Sequence, residues 1–119
     1  MPTTDALWGG QLASVRFEPV AHRLVLQIDV VDGDVTTSYD LVCSGVSGLH
    51  FTNSIPEPWT YAEVTEVHAR QATAGQWTVE LILWSEDCKL VCTCGAFTVT
   101  DESAGQAANG FDSRLVRRG

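Results

Sequence analysis

The chain has 119 residues, of which 45% are hydrophobic, and a formal net charge of −8. This length favours one domain with its own core, and the hydrophobic fraction excludes a chain that is disordered throughout. The first 99 residues hold 4 basic and 12 acidic residues, which accounts for the whole net charge. Such a field repels nucleic acid and anionic membranes.

Targeting signals are absent from the sequence as it stands. No apolar run reaches the length of about 18 residues that a membrane span needs. The start of the chain, "MPTTDALWGGQ", has neither the basic nor the apolar segment of a secretory signal. We therefore expect a cytoplasmic protein with reduced thiols, and neither a nucleic acid nor a membrane as its partner.

Alternating apolar and polar residues predict β-strands along most of the chain. Residues 11–18 form the first strand, and a short turn at Pro19 leads into the second, 22–31. The third strand, 35–43, follows an Asp-Gly pair, which is a strong hairpin signal. The apolar residues of the second and third strands share one face, so this hairpin has one buried and one wet side.

The register of this first hairpin depends on its two-residue loop. If Asp32-Gly33 is the loop, Val30 faces Val35. If Gly33-Asp34 is the loop, the partners shift but the apolar faces still agree.

The second half of the chain repeats the pattern. Residues 47–54 are predicted to form a short strand. Residues 61–71 alternate poorly between apolar and polar positions, so a helix is the alternative there, but their β-branched residues favour a strand. Residues 76–85 and 88–97 form a second hairpin around Glu86-Asp87, in which Leu83 faces Leu90 and Leu81 faces Cys92.

The predicted fold is therefore all-β. Six to seven short strands with hairpin links indicate an antiparallel β-sandwich or a curled meander. Residues 1–99 form this single domain, and residues 100–119, which are small, polar and interrupted by glycine, read as a flexible C-terminal tail.

The first interpretation of the four cysteines is that they are core residues. Cys88, Cys92 and Cys94 point inward from one strand, where a free thiol behaves as a small hydrophobe. Neighbouring same-face residues of a strand are too far apart for a disulfide, and no Cys-x2-Cys knuckle for zinc is present. We therefore expect no cofactor. The alternative is a metal site in which Cys43 and His22, opposite each other in the first hairpin, meet Cys92 or Cys94.

Two features indicate a protein-binding surface. The loop "NSIPEPWTY" (53–61) is stiffened by prolines and carries Trp59, either as a recognition element or as a cap on the core. On the second hairpin, Ile82, Trp84 and Val91 share the face opposite the core and are too apolar for plain solvent contact. They are either covered by the chain itself or form an interface with a partner or a second copy.

A catalytic signature is not visible, because the three histidines are scattered and no serine or carboxylate constellation accompanies them. The sequence favours a non-catalytic protein-interaction module whose acidic body steers it toward a basic partner. The alternative is a small-ligand binder or enzyme with a cavity between the sheets, lined by His22, Tyr39 and Trp77.

The order of features resembles small bacterial all-β domains of unknown function, including some grouped with immunity proteins of polymorphic toxin systems. The resemblance covers about residues 7–99, from "LWGGQLASVRFEP" through "YDLVCSGVSGLHF", the Pro/Trp loop and "YAEVTEVHA" to "CTCGAFTVT". Many members open with a His-Asp pair where this chain has "LWGG". The resemblance implies a stoichiometric binding protein and no enzyme, and it carries over no functional residue.

Overall fold

A computed structural model describes residues 3–72 and 75–101. Within these ranges the chain forms one short 3-10 helix and eight β-strands, and no α-helix. The elements are η1 (Thr4–Leu7), β1 (Gly10–Glu18), β2 (Arg23–Asp32), β3 (Val35–Ser44), β4 (Gly48–Thr52), β5 (Glu63–Gln71), β6 (Trp77–Leu83), β7 (Lys89–Cys94) and β8 (Ala96–Asp101). No helix in the described ranges is long and apolar enough to cross a membrane.

All strand pairs are antiparallel, and the strands form one sheet in the order β4-β7-β6-β5-β1-β2-β3-β8. The sheet is not closed. The predicted all-β antiparallel fold is confirmed, with eight strands in place of six or seven.

The sheet divides into two halves at its middle. β1 and β5 pair only through Gly10 with Val64 and Gln11 with Glu63, whereas the other pairs run for five residues or more. The first half comprises β1, β2, β3 and β8, and the second comprises β4, β5, β6 and β7. Buried residues of both halves form one core, so the halves face each other as the layers of a sandwich do.

A strand that changes halves accounts for the extra element. We predicted one strand over 88–97, but β7 ends at Cys94 and β8 begins at Ala96, with only Gly95 between them. The Gly95 N–H donates to the Ser44 carbonyl at 2.9 Å. The chain therefore leaves the second half at Gly95 and pairs with β3 of the first, as strands do at the corner of a sandwich.

In the hairpin of β2 and β3, the loop is Gly33-Asp34, so Val30 faces Thr37 and the pairing of Val30 with Val35 is wrong. Gly33 has φ +64°. A two-residue hairpin with glycine at its first central position keeps Asp32 in the strand, where it pairs with Val35.

The hairpin of β6 and β7 is also shifted by two residues from its predicted register. Leu81 faces Leu90 in place of Cys92, because the connection is longer than Glu86-Asp87. The Leu83 N–H donates to the Cys88 carbonyl at 2.8 Å and the Cys88 N–H to the Ser85 carbonyl at 3.0 Å, which closes a turn over 84–88.

The poor alternation of residues 61–71 has a structural cause. β5 is a strand, as predicted, and its register shifts between Val64 and Glu66. This β-bulge turns both Val64 and Val67 into the core, where each is at most 1% exposed.

Two segments outside the sheet close the core. Leu7 in η1 is fully buried, and Ile55 and Trp59 in the loop after β4 pack back against the core. The prediction that this loop caps the core is therefore met by Ile55 and Trp59. At the C-terminal end, β8 includes Thr100 and Asp101, and the rest of the segment assigned to a tail lies outside the described residues.

Candidate functional site

Four aromatic side chains form two ring pairs, one at β4 and one where β5 begins, and we call Phe51, Trp59, Tyr61 and Trp84 the aromatic band. Phe51 and Trp59 meet edge to face, with ring centroids 6.1 Å apart. Tyr61 and Trp84 do the same at 4.8 Å. The loop between β4 and β5 links the two pairs. Phe51 and Tyr61 are 53% and 50% exposed, so the band offers large apolar area to solvent.

Phe51, one member of the band, belongs to an open edge strand. β4 is the first strand of the sheet order and pairs only with β7, so one row of its backbone groups has no strand partner among the described residues. Edge strands of soluble proteins are usually protected by charged residues or proline. β4 reads Gly-Leu-His-Phe-Thr and contains neither lysine, arginine nor proline. An apolar edge of this kind is a template for pairing with another chain.

Exposed acids flank the aromatic band, while Lys89, opposite Thr52 of β4, is paired with Glu80 at 3.5 Å. Glu57 lies two residues before Trp59, and Glu86 and Asp87 follow Trp84 in the turn over 84–88; all three are exposed. Neither the loop 53–62 nor the turn 84–88 contains lysine or arginine. The surface next to the aromatic band therefore attracts a positively charged partner.

Trp84 has an uncommon backbone conformation, with φ +70°. For a bulky residue this left-handed conformation costs of order 1–2 kcal/mol, and such residues cluster at functional positions. Its N–H donates to the Glu63 carbonyl at 3.0 Å, which ties the turn 84–88 to the start of β5. This hydrogen bond positions the Trp84 indole ring against Tyr61.

The predicted interface residues do not form one exposed face. Ile82 is only 7% exposed and Val91 is half-buried. Trp84 is half-buried against Tyr61, and Trp59 is half-buried against Phe51. Phe51 and Tyr61, the most exposed members of the band, were missed because the sequence does not show which strand lies at the edge of the sheet.

Three cysteines meet inside the core. The sulfur atoms of Cys43, Cys92 and Cys94 all lie within 4.8 Å of one another, and the three residues are 0–2% exposed. Cys43 comes from β3 and the other two from β7, so this thiol cluster joins the two halves. The strand switch at Gly95 explains the contact, because it brings the end of β7 beside the end of β3.

The cluster changes the acidity of its members. Hydrogen bonding with Cys92, followed by burial, raises the pKa of the Cys43 thiol. The same hydrogen bond lowers the pKa of the Cys92 thiol, because its sulfur accepts from Cys43. Burial is the main cause that raises the pKa of Cys94. Cys92 is therefore the thiol that loses its proton first.

The remaining candidates for a metal site lie elsewhere. His22 is exposed in the turn before β2. The residue opposite Cys43 in the observed register is Leu24, not His22. Cys88 is buried apart from the thiol cluster and donates to Asn53 Oδ1 at 3.4 Å. Sequence reasoning named the three clustered cysteines, but with the wrong fourth residue.

A cleft of about 360 Å³ opens between the halves. Its walls come from the start of η1, from β5 and β6, and from β8, and they include Trp77 and Phe97, whose rings meet edge to face at 5.2 Å. Of the three predicted cavity residues only Trp77 lines it. His22 is in an exposed turn, and Tyr39 packs against the core.

No protein-family model matches the sequence, and no curated protein is similar to it.

Proposed function

We propose that the protein is a non-catalytic, cytoplasmic protein-interaction module that binds its partner through the aromatic band and the adjacent edge of β4. The observation that carries the proposal is the coincidence of exposed aromatic rings with an unprotected strand edge. A partner that adds an extended segment to β4 satisfies the backbone groups of the edge and covers Phe51.

The charge distribution indicates the chemistry of the partner. The exposed acids next to the band, Glu57, Glu86 and Asp87, favour a segment or surface that carries lysine or arginine. Tyrosine and tryptophan are common anchors at protein interfaces, since they bury much area at a low entropic cost. In line with the resemblance to immunity-like domains, we propose that the module acts by occlusion, covering a basic site on its partner.

The test compares two substitutions that change the net charge equally. Phe51→Lys places a cation in the aromatic band, and Val31→Lys places one at the far hairpin, where Val31 is 65% exposed. Light scattering gives the oligomeric state, and affinity capture from the native host compares the proteins bound by each form. We expect a partner that the wild type and Val31→Lys bind and Phe51→Lys does not.

Self-association is one outcome of the same experiment. A wild-type dimer that becomes a monomer only in Phe51→Lys identifies the partner as a second copy and supports the band as the interface. A dimer that persists in Phe51→Lys overturns the proposal. So does a wild-type monomer that captures no protein whose binding depends on Phe51.

The cleft between the halves supports a second candidate function, the binding of a small apolar molecule. Its volume of about 360 Å³ lies at the lower end of the range for ligand pockets. Trp77 and Phe97 supply aromatic walls, and the lining contains no titratable residue, which suits binding more than catalysis. A thermal-shift screen with small aromatic and aliphatic compounds tests it: ligands that stabilise the wild type and fail on Trp77→Ala support it, and a screen without such ligands excludes it.

A further inference from the structure

The thiol cluster of Cys43, Cys92 and Cys94 is more than three packed side chains, because its sulfurs converge on one point from two strands. Cys92 and Cys94 project from alternate positions of β7, and Cys43 approaches them from β3. Three sulfurs at mutual distances within 4.8 Å leave a centre that one ion reaches.

The distances fit a metal–thiolate site after a small adjustment. A metal–sulfur bond of about 2.3 Å places three sulfurs in a plane about 4 Å apart. Sulfurs at the corners of a triangle of 4.8 Å sides need to move inward by about 0.5 Å each, which small side-chain rotations provide. No large change of backbone position is required.

The walls of the cluster determine which ion fits. Cys43 pairs with Leu24 on one side and Phe97 on the other, Cys92 with Val79 and Leu49, and Cys94 with Trp77. Histidine, aspartate and glutamate do not join the cluster within the described residues. A tetrahedral zinc ion needs a fourth ligand that these apolar walls do not supply, whereas Cu(I), which soft thiolates also bind, is satisfied by three ligands.

We propose that Cys43, Cys92 and Cys94 form a binding site for one Cu(I) ion. Each thiol that binds the ion releases its proton to solvent, and copper keeps its oxidation state, so the binding step needs no oxidant or reductant. The proposal is independent of the aromatic band, which lies on the surface of the second half.

A bound ion has a structural consequence. The three ligands belong to opposite halves of the sheet, and among the described residues the strand pairing at the middle, β1 with β5, is the shortest of the sheet. Copper(I) therefore acts as a clamp between β3 and β7, and it stabilises the folded chain by mass action because the unfolded chain lacks the converged site.

The decisive experiment uses Cys88→Ala, in which the cluster supplies the only three thiols of the chain. Under anaerobic, reducing conditions, Cu(I) is titrated against a chromophoric Cu(I) chelator, and copper K-edge absorption counts the sulfur ligands. We expect one ion per chain with three sulfur ligands, in Cys88→Ala and in the wild type alike. Cys43→Ser in the wild-type background should weaken binding at least 100-fold, the upper end of what loss of an outer-shell partner costs.

Thermal unfolding supplies a second readout in the same samples. Cu(I) should raise the midpoint of the wild type and of Cys88→Ala, and raise that of Cys43→Ser by less at the same copper concentration. Cys88→Ala that remains folded yet binds no copper, or binds it through fewer than three sulfurs, overturns the proposal. Should Cys88→Ala fail to fold, equal copper affinity in the wild type and Cys43→Ser gives the same refutation. Tighter binding of Zn(II) than of Cu(I) refutes the choice of ion.

Discussion

Gly10 is the position at which a single methyl group tests how the two halves of the sheet meet. It lies in β1 where that strand pairs with β5, and it also packs against β2. A β-carbon added there would lie 2.7 Å from Ile28 Cγ2 and 3.0 Å from both the Asp29 carbonyl oxygen and Val30 Cγ2. Carbon atoms in contact normally lie 3.5–4.0 Å apart, so Gly10→Ala forces a displacement of nearly 1 Å.

The surroundings give little room for that displacement. Ile28 is fully buried, and the Asp29 carbonyl belongs to the backbone. Overpacking of this kind costs about 1–3 kcal/mol, and the lower entropy of alanine in the unfolded chain returns about 0.4–1 kcal/mol. We therefore expect Gly10→Ala to lower the free energy of unfolding by about 1–2 kcal/mol, measured by urea denaturation with tryptophan fluorescence and circular dichroism.

Gly48→Ala is the matched control, since it also adds one methyl group to a strand. Its β-carbon would lie 3.6 Å from the nearest atoms of Thr93, an ordinary contact. This substitution should leave stability unchanged or raise it by up to about 1 kcal/mol. Equal stability of Gly10→Ala and the wild type would refute the close approach of β1 to β2 at this position.

A double-mutant cycle identifies the clash itself. Ile28→Leu removes the Cγ2 methyl group while conserving volume, at a cost of less than about 1.5 kcal/mol. In its presence Gly10→Ala should cost less than it does alone, with a coupling of 0.5 kcal/mol or more. If the effects of the two substitutions are strictly additive, the cost of Gly10→Ala does not come from contact with Ile28 Cγ2.

The other predictions concern indole donors and thiol protons. Trp8 Nε1–H donates to a β5 carbonyl at 3.1 Å, whereas the buried Nε1–H of Trp59 has no acceptor among the described residues. Trp8→Phe should therefore lower stability by about 0.5–1.5 kcal/mol more than Trp59→Phe in urea denaturation, and the reverse order would contradict this assignment. As pH rises above the ordinary thiol pKa of about 8.5, the unfolded chain loses protons that Cys43 and Cys94 retain in the fold, while Cys92 has already lost its own. The free energy of unfolding should then fall by about 1.4 kcal/mol per pH unit for each retained proton, and a slope that Cys43→Ala does not reduce would contradict it.

The sequence by itself determined most of the secondary structure and the apolar face of each hairpin. Alternation of apolar and polar residues is a local property, so the strands, the hairpins and the inward direction of Leu24, Leu26 and Leu41 follow from it. The exceptions have local causes that a period-2 pattern conceals. A bulge in β5 put two valines three positions apart on one face, and a two-residue shift in each hairpin left every face intact while it changed the partners.

Only the tertiary structure decided the two candidate sites. The exposure of Phe51 depends on β4 lying at the edge of the sheet, and strand order is set by contacts between distant segments. The thiol cluster needed the strand switch at Gly95, which places β7 against β3 although Cys43 and Cys92 lie 49 positions apart in the chain. Local patterns predict which face of a strand a side chain occupies. They do not predict its tertiary contacts, because packing across the core depends on how the two halves fold together.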